Sequence, residues 1–554
     1  MEKTYIFGSE SSKVWCSKLG ELIQIPTLSI NDNSAIHNFI VDNIKNLSPN
    51  SKFVLDLDST NPALILTLAL HIRLSIVDIK EKAFAPILLV SDFSLQSFLS
   101  LGECSQFFLS QSGYAFCLPE EVRPAINAIK GITVDGYVEE FLSQIQIHPD
   151  ATIGNHSMAN QWGADVLYRI VCKDDSEETE QIKKEKTKLY YKYIYLKTVP
   201  IKDVLSDKAT KIYRRNEMCN ATQKKILLID DEAEKGWASV MKNWLFGYAA
   251  FDVVNQQIEK YEDIPEDIKK KISKDYYDLY LLDLRLRGVQ EEGVYEAEGF
   301  SGMKVLRSIK ALNVGNQVII MTASNKAWNM KSLLDAGADG YYIKESPELQ
   351  LPKSFSEANF RSFSRDVKKS LDSGYKKVIY KEIIDLKRDI LSSTKICAVA
   401  NEIISIMASA QNQLQRALSK NDFAYSYLSL FQVLELISRD FITPDSGTRN
   451  AWLVNNDTPL YYYETDGHIP VRQGIILEEW PSIKRKITGI YVDVCGGADC
   501  RFLRENLFLD VDRRNAFVHN DNVELADPRI AKVFSADGFI HLLSTIRVLF
   551  NGIL

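Results

Sequence analysis

Cysteine is scarce in this chain, with eight among 554 residues, and no two form a Cys-x-x-Cys pair. That excludes a disulfide framework. The closest pair, Cys495 and Cys500 around Gly496-Gly497, lacks the second pair that a zinc site needs, so the thiols read as reduced and structural. Glycine (26) and proline (16) are too few for a collagenous or low-complexity chain. Long hydrophobic runs are also missing. The most apolar stretch, Pro62 to Ile79, is interrupted by His71, Arg73 and Asp78, and reads as a buried helix rather than a membrane span of about 20 apolar residues. The start, Met-Glu-Lys-Thr-Tyr-Ile-Phe, has no basic or apolar leader segment, so a soluble, cytoplasmic protein is expected. Positive charge is not in excess: 66 Lys and Arg face 73 Asp and Glu, a net charge of −7. This argues against a DNA-coating protein, yet leaves room for local contact with RNA; with no spanning stretch, no membrane partner is expected either.

What is present is ordinary globular composition, and the length suits three or four domains at about 150 residues each. Two charged stretches, Lys173 to Lys188 and about Ser206 to Lys225, read as solvated linkers or surface loops. The division expected is an α/β domain over 1–150, a helical and charged connector over 151–222, a second α/β domain over 223–350, a helical linker over 351–393, and a helical domain over 394–554.

In the first segment, Thr4-Tyr-Ile-Phe7, Phe53 to Asp58, Ile87 to Asp92 and Phe107-Phe-Leu109 read as buried parallel strands. Ala63 to Val77 and Ser94 to Leu101 read as the helices between them, which gives an open α/β sheet. Asp56 and Asp58 end a strand, where such sheets place ligands, but a carboxylate capping the next helix is the plainer reading. In the connector, His156 and Asn160 stand one helical turn apart and share a face. A His with Asn at +4 is similar to the phospho-acceptor box of sensor histidine kinases, which makes His156 a possible phosphohistidine. A buried or capping histidine near Trp162 is the alternative.

From Lys224 the pattern sharpens. Lys224 to Ile229 is a buried strand ending in Asp230-Asp231; Tyr280 to Leu282 ends in Asp283; Val318 to Met321 ends in Thr322; Gly340 to Ile343 ends in Lys344. Helical stretches separate them, so a parallel sheet brings all four ends to one edge. Three carboxylates there suit a hard divalent cation, a carboxylate is a competent nucleophile toward phosphorus, and a Lys and a hydroxyl can grip phosphoryl oxygens.

This segment resembles the receiver domain of two-component response regulators over roughly Gln223 to Ser346. The resemblance implies a (βα)5 fold, Asp283 as phospho-acceptor, and Mg²⁺ held by Asp230, Asp231, Asp283 and the Arg285 carbonyl. It further implies Thr322 and Lys344 as phosphate contacts, Tyr342 as the switch aromatic, and a sensor histidine kinase as partner. The stretch Leu284 to Gly299 is longer than the family's usual loop and lacks its Pro, and Lys344 is followed by Glu-Ser-Pro347 rather than directly by Pro. The first segment has a similar alternation and none of these site residues, which fits a pseudo-receiver.

The C-terminal segment reads as mostly helical. In Ala424 to Ile442 the stripe Tyr427, Leu430, Phe431, Leu434 and Ile437 marks one apolar face, beside which Glu435 is either a buried acid or a flanking charge. Tyr461 to Tyr463, Trp480 and Gly496-Gly497 fall in an apparent irregular insertion. Then comes Arg514-Asn515-Ala-Phe-Val-His519, which resembles the Arg-(Asn/Asp/His)-x-x-x-His motif of HEPN-domain ribonucleases. The resemblance implies metal-free RNA cleavage across a homodimer interface, with Arg514, Asn515 and His519 as the catalytic set. Two functions are thus expected as alternatives: a phosphorylation-controlled endoribonuclease of stress or phage defence, or a non-enzymatic signalling adaptor whose bundle only dimerises or binds a partner.

Overall fold

The computed structural model describes residues 3–554 except 17, 110–112, 150–154, 172–179, 207–223, 246–248, 292, 324–326, 394–398, 418 and 522–523. Much of both charged stretches lies outside the described residues. The chain divides into two units, Met1–Ser308 with Gln317–Leu371, and Ile309–Asn316 with Asp372–Leu554.

The first unit holds two five-stranded parallel sheets. One comprises β1 (Lys3–Gly8), β2 (Glu21–Gln24), β3 (Ser51–Asp56), β4 (Ile87–Val90) and β5 (Tyr114–Cys117) in the order β2-β1-β3-β4-β5. The other comprises β6 (Lys224–Ile229), β7 (Ala249–Val254), β8 (Leu279–Asp283), β9 (Val318–Thr322) and β10 (Gly340–Ile343). Its order is the same, β7-β6-β8-β9-β10. In both, the second strand lies outside the first, so the strand order reverses beside the first strand; such a reversal opens a crevice at the carboxyl ends. The inner strands are continuous apolar runs because helices cover both faces of a parallel sheet.

Three expectations for the first sheet need correction. Phe107 to Leu109 is not a strand but part of a 3₁₀ turn, Gly102–Leu109, and the fifth strand is Tyr114–Cys117. A three-residue apolar run signals burial without fixing conformation; Phe107 is buried against the Tyr114 ring, 5.0 Å between centroids. The run from Pro62 bends into two helices, Pro62–Leu74 and Ile76–Ile79. Its interrupting Arg73 is fully buried and donates to the Ala83, Ala85 and Gly113 carbonyls at 2.6 to 2.7 Å, so backbone dipoles compensate the charge. The helix after β3 is capped by Asn61, not by Asp56 or Asp58. Among the described residues no single helix is long and apolar enough to cross a membrane.

The helix Asn155–Val171 belongs to two cores. Met158 and Trp162 pack in the core of the first sheet, while Ala164, Leu167, Tyr168, Ile170 and Val171 pack in that of the second. Gly163 allows the close approach: a Cβ there would stand 3.0 Å from the Trp237 ring and 3.3 Å from the Glu345 backbone. The stretch 351–393 is two helices, Lys353–Asp372 and Tyr375–Ser392. Phe360, Phe363 and Val367 of the first are buried in the second sheet's core, so this is not a free linker.

The second unit is built on the antiparallel helix pair Ala400–Arg416 and Lys420–Phe441. Ser419 and Asp422 form a reciprocal capping box at the turn, Ser419 N donating to Asp422 at 2.7 Å. The stripe Tyr427, Leu430, Phe431, Leu434 and Ile437 is buried throughout. The insertion is not irregular. It carries a three-stranded sheet, β11 (Ile442–Pro444), β12 (Trp452–Val454) and β13 (Thr458–Pro459), and a hairpin of β14 (Tyr461–Thr465) and β15 (Pro470–Ile475). These strands are short and half exposed, so neither period shows in the sequence.

Candidate functional site

At the carboxyl edge of the second sheet, Asp230, Asp283, Thr322 and Lys344 are all at least 97% buried. The Lys344 ammonium donates to Asp230 Oδ2 at 2.7 Å and to Asp283 Oδ2 at 2.6 Å. Its remaining proton goes to Asn160 Oδ1, also at 2.6 Å. All three donors of a buried cation are therefore satisfied, two of them by anions. Burial and the neighbouring Asp230 charge raise the Asp283 carboxyl to about 6, against the opposing pull of Lys344. Burial alone would lower Lys344, but Asp230 and Asp283 outweigh it and hold the ammonium charged.

The loops lock these groups. Asp230 Oδ1 accepts from Glu232 N at 2.9 Å, and Asp283 Oδ1 from Arg285 N at 3.3 Å. Gly302 sits so close to the strand end that a Cβ would stand 2.2 Å from the Asp283 carbonyl, which fixes where the helix Ser301–Leu312 starts. The long stretch from Leu284 is ordered by Ser301, whose Oγ accepts from Leu286 N and whose N donates to buried Glu291. Tyr342 is buried and wedged between the Trp237 ring (5.9 Å) and the Phe363 ring (4.6 Å), a position one turn of pleat below Lys344.

Asn160 and His156 complete the pocket from outside the sheet. The helix Asn155–Val171 lays both over the strand ends. Asn160 Oδ1 accepts from Lys344 and from Trp237 Nε1 at 3.0 Å, which forces its amide nitrogen toward Glu232 Oε2 (2.8 Å) and His156 Nε2 (3.1 Å). His156 Nε2 in turn lies 3.4 Å from Asp231 Oδ1. Burial opposes a charge on this imidazole, but Asp231 and Asp283 outweigh it and raise the pKa. The plain reading of His156 as a packed histidine thus captures its burial but not its neighbours. The shared face of His156 and Asn160 was legible; that the face meets Asp231 was not.

The donor set fits a divalent cation. His156, Asp231 and Asp283 offer ligand atoms within 4.8 Å of one another, whereas Asp230 turns its two oxygens to Lys344 and the Glu232 amide.

The first sheet's edge is different. Asp56 accepts from Ser12 Oγ at 2.5 Å and Asp58 from Ser91 Oγ at 2.7 Å and Asp92 N at 2.8 Å, so the acids tie loops together. Burial raises the Asp56 carboxyl.

In the second unit, Arg514, Asn515 and His519 lie on the last turns of the helix Leu509–Val518. Arg514 is half-buried and donates to Glu435 at 3.0 Å and to Asn515 Oδ1 at 3.2 Å, so Glu435 is a flanking charge with a partner. His519 is exposed at the helix end. Beneath them is a network the sequence did not reveal. Asp510, fully buried, accepts from Tyr427 OH (2.9 Å), Arg513 (2.8 Å) and His541 Nδ1 (3.0 Å), and Arg513 also donates to the Arg529 carbonyl. The adjacent arginines were a signal: on a helix only one of them can face the core.

Comparison with known proteins points to receiver-type relatives. Residues 1–117 match the Inactive Receiver domain family, the segment with the strand pattern and without the acceptor set. Over 75 residues the chain is 37% identical to the nitrate/nitrite response regulator protein NarP of Escherichia coli K12, covering 13% of this chain and 30% of NarP. Over 69 residues it is 32% identical to the nitrate/nitrite response regulator protein homolog of Haemophilus influenzae Rd, covering 12% and 28%. The chain thus spans under a third of these relatives. Among solved structures, a CheY-like receiver domain protein from Methanospirillum hungatei JF-1 aligns at 20% identity and a TM-score of 0.16, covering 26% of this chain and 99% of that one. A putative two-component response regulator/GGDEF domain protein aligns at 10% identity and 0.17, covering 65% and 98%. The chain carries receiver-type parallel α/β architecture together with a helical C-terminal region.

Proposed function

We propose that this protein is a response-regulator-type signalling effector, phosphorylated on Asp283 by a partner histidine kinase and acting through its C-terminal unit. One observation carries the reading: Lys344 lies 2.6 Å from Asp283 within a buried edge that also holds Asp230, Asp231 and Thr322. In the transfer, a carboxylate oxygen of Asp283 bonds to phosphorus as the bond to the kinase histidine nitrogen breaks. Lys344 and Thr322 then hold phosphoryl oxygens, and Tyr342 lies on the strand that leads into Lys344, opposite Met321. Asp231, Asp283 and the Arg285 carbonyl would hold Mg²⁺, joined by Asp230 once Lys344 has given up its present bonds, and the ion would supply charge neutralisation there. Accepting phosphate requires Lys344 to give up its present bonds and the His156 helix to move off the pocket, so signalling is tied to that helix. Intact-mass analysis after treatment with a small phosphodonor and Mg²⁺ tests the reading; a mass shift that persists in Asp283→Asn would falsify it.

The output we assign is metal-free RNA cleavage in the cytoplasm, in stress or phage defence, by a homodimer. It is supported by an exposed His519 near a half-buried Arg514 on one helix end. A histidine can exchange a proton with a ribose oxygen, while an arginine stabilises charge on phosphoryl oxygens. The adaptor reading is favoured by the Arg514–Glu435 pair, which occupies that guanidinium. Digestion of labelled RNA by the full chain decides between them: absence of cleavage by a verified dimer selects the adaptor.

A further inference from the structure

The contacts around His156 do not match any single state of its ring. Asn160 cannot flip, because Lys344 and Trp237 both donate to its Oδ1. Its amide nitrogen therefore faces His156 Nε2 at 3.1 Å, a contact that wants a lone pair there. Asp231 Oδ1 approaches the same nitrogen at 3.4 Å, a contact that wants a proton. A neutral Nε2 opposes the carboxylate, and a protonated one opposes the amide. His156 is 95% buried, so water does not relieve the mismatch. A metal dication does: it takes the Nε2 lone pair, draws Asp231 and Asp283 to itself, and leaves the Asn160 amide its bond to Glu232 at 2.8 Å.

We infer that His156, Asp231 and Asp283 form a mixed nitrogen–oxygen site for a first-row transition-metal dication such as Mn²⁺, which clamps the Asn155–Val171 helix over the phospho-acceptor. Their ligand atoms already lie within 4.8 Å of one another, and a metal at the centre of such a triangle reaches each with small side-chain movements. Asp230 is committed elsewhere by Lys344 and the Glu232 amide, so the histidine stands where an all-oxygen set would have its third acid. An imidazole ligand suits transition metals, whereas Mg²⁺ prefers oxygen and keeps its water. The same ion bonds to the connector helix and to Asp283, so while it is bound it keeps that helix over the acceptor, and phosphorylation of Asp283 requires His156 to leave the ion first. The site is that of the proposed phospho-acceptor, and the inference rests on that reading for this regulatory consequence.

The test uses the full chain, stripped with EDTA and titrated with Mn²⁺ alone, read by the electron paramagnetic resonance of free Mn²⁺ and by ¹⁴N hyperfine coupling of the bound ion. Expected is one Mn²⁺ per chain with imidazole nitrogen coupling, displaced by Mg²⁺ only in large excess. His156→Gln should remove the coupling and weaken Mn²⁺ binding by at least about tenfold, since loss of even an outer partner typically costs 10- to 100-fold. His156→Ala with added free imidazole should regain the coupling, which separates loss of a ligand from loss of the fold. No Mn²⁺ binding, binding without ¹⁴N coupling, or equal affinity in a folded His156→Gln overturns the inference. Phosphodonor labelling with Mg²⁺, run in parallel, keeps the two readings apart. Labelling of Asp283 without any nitrogen-coupled Mn²⁺ leaves the receiver reading standing and the metal site fallen; coupling without labelling does the reverse.

Discussion

Lys344 and Asn160, 184 residues apart in sequence, are joined by a buried hydrogen bond of 2.6 Å, as short as the one Lys344 makes to Asp283. The amide thus completes the coordination of the cation at the centre of the pocket, and it comes from outside the sheet that builds the pocket.

Asn160→Ala leaves both Lys344 and Trp237 short of an acceptor. An unsatisfied buried donor costs about 1–3 kcal/mol, so the melting temperature should fall. Labelling of Asp283 by a small phosphodonor should become faster, because the covering helix is held less tightly. Slower labelling in a folded variant would show that the helix does not gate access.

Asp231 has a carboxyl oxygen near His156 and none on Lys344. Asp231→Asn should therefore abolish Mg²⁺-dependent labelling while the buried Lys344 cluster, and with it the circular dichroism spectrum, stays intact. Labelling at the wild-type rate would remove Asp231 from the metal set.

Glu345 gives a pH signature. Burial raises its carboxyl to about 7, with the Ser356 and Asn359 bonds opposing, and among the described residues its Oε1 has no hydrogen-bond partner. A carboxyl raised by folding favours the folded chain when protonated. That contribution is complete below the unfolded value near 4.5 and is lost as pH rises through about 7. The displacement corresponds to about 3 kcal/mol. Wild-type protein should lose melting temperature between about pH 5 and about pH 8, and Glu345→Gln should lose much less; parallel pH profiles for the two would refute the assignment.

Arg513 and Arg514 are neighbours with opposite fates. Asp510→Ala leaves Arg513 a buried charge without its anion, a loss typically worth about 3–5 kcal/mol. Arg514 makes a partly exposed pair worth about 1 kcal/mol or less. If the unit cleaves RNA, Arg514→Ala should slow it by about 10²- to 10³-fold and His519→Ala by about 10²- to 10⁴-fold, with little change in melting temperature and no effect of EDTA. Thermal unfolding beside a gel assay checks both.

The inactive-receiver segment should take no phosphoryl group. Asp56 and Asp58 are committed to Ser12, Ser91 and Asp92, so peptide mapping after phosphodonor treatment should find label at Asp283 and at neither of these.

The second sheet was legible because its strands end in chemistry: Asp230-Asp231, Asp283, Thr322 and Lys344 each punctuate an apolar run. Thr4 to Phe7 was legible from its apolar run alone, but other strands without such endings escaped. Glu21–Gln24 and Ala249–Val254 are edge strands with few buried residues, so they carry no continuous apolar run. The Tyr-rich hairpin and its companion sheet are too short for a period to show. Asp510 anchors three side chains, a relation its local sequence does not mark. The covering of the pocket by His156 and Asn160 is a tertiary relation between helix and sheet edge, and local pattern does not encode it.

Met158 and Trp162 bury their side chains in one α/β core, and Ala164 and Leu167, within the next turn and a half, bury theirs in the other. Lifting His156 off Asp283 therefore also withdraws a methionine and a tryptophan from the first of these cores. Fully exposing large apolar side chains costs about 1.5–3 kcal/mol each. If phosphorylation lifts that helix as proposed, the packing of Met158 and Trp162 in the first core acts as a counterweight that sets how strong a signal must be.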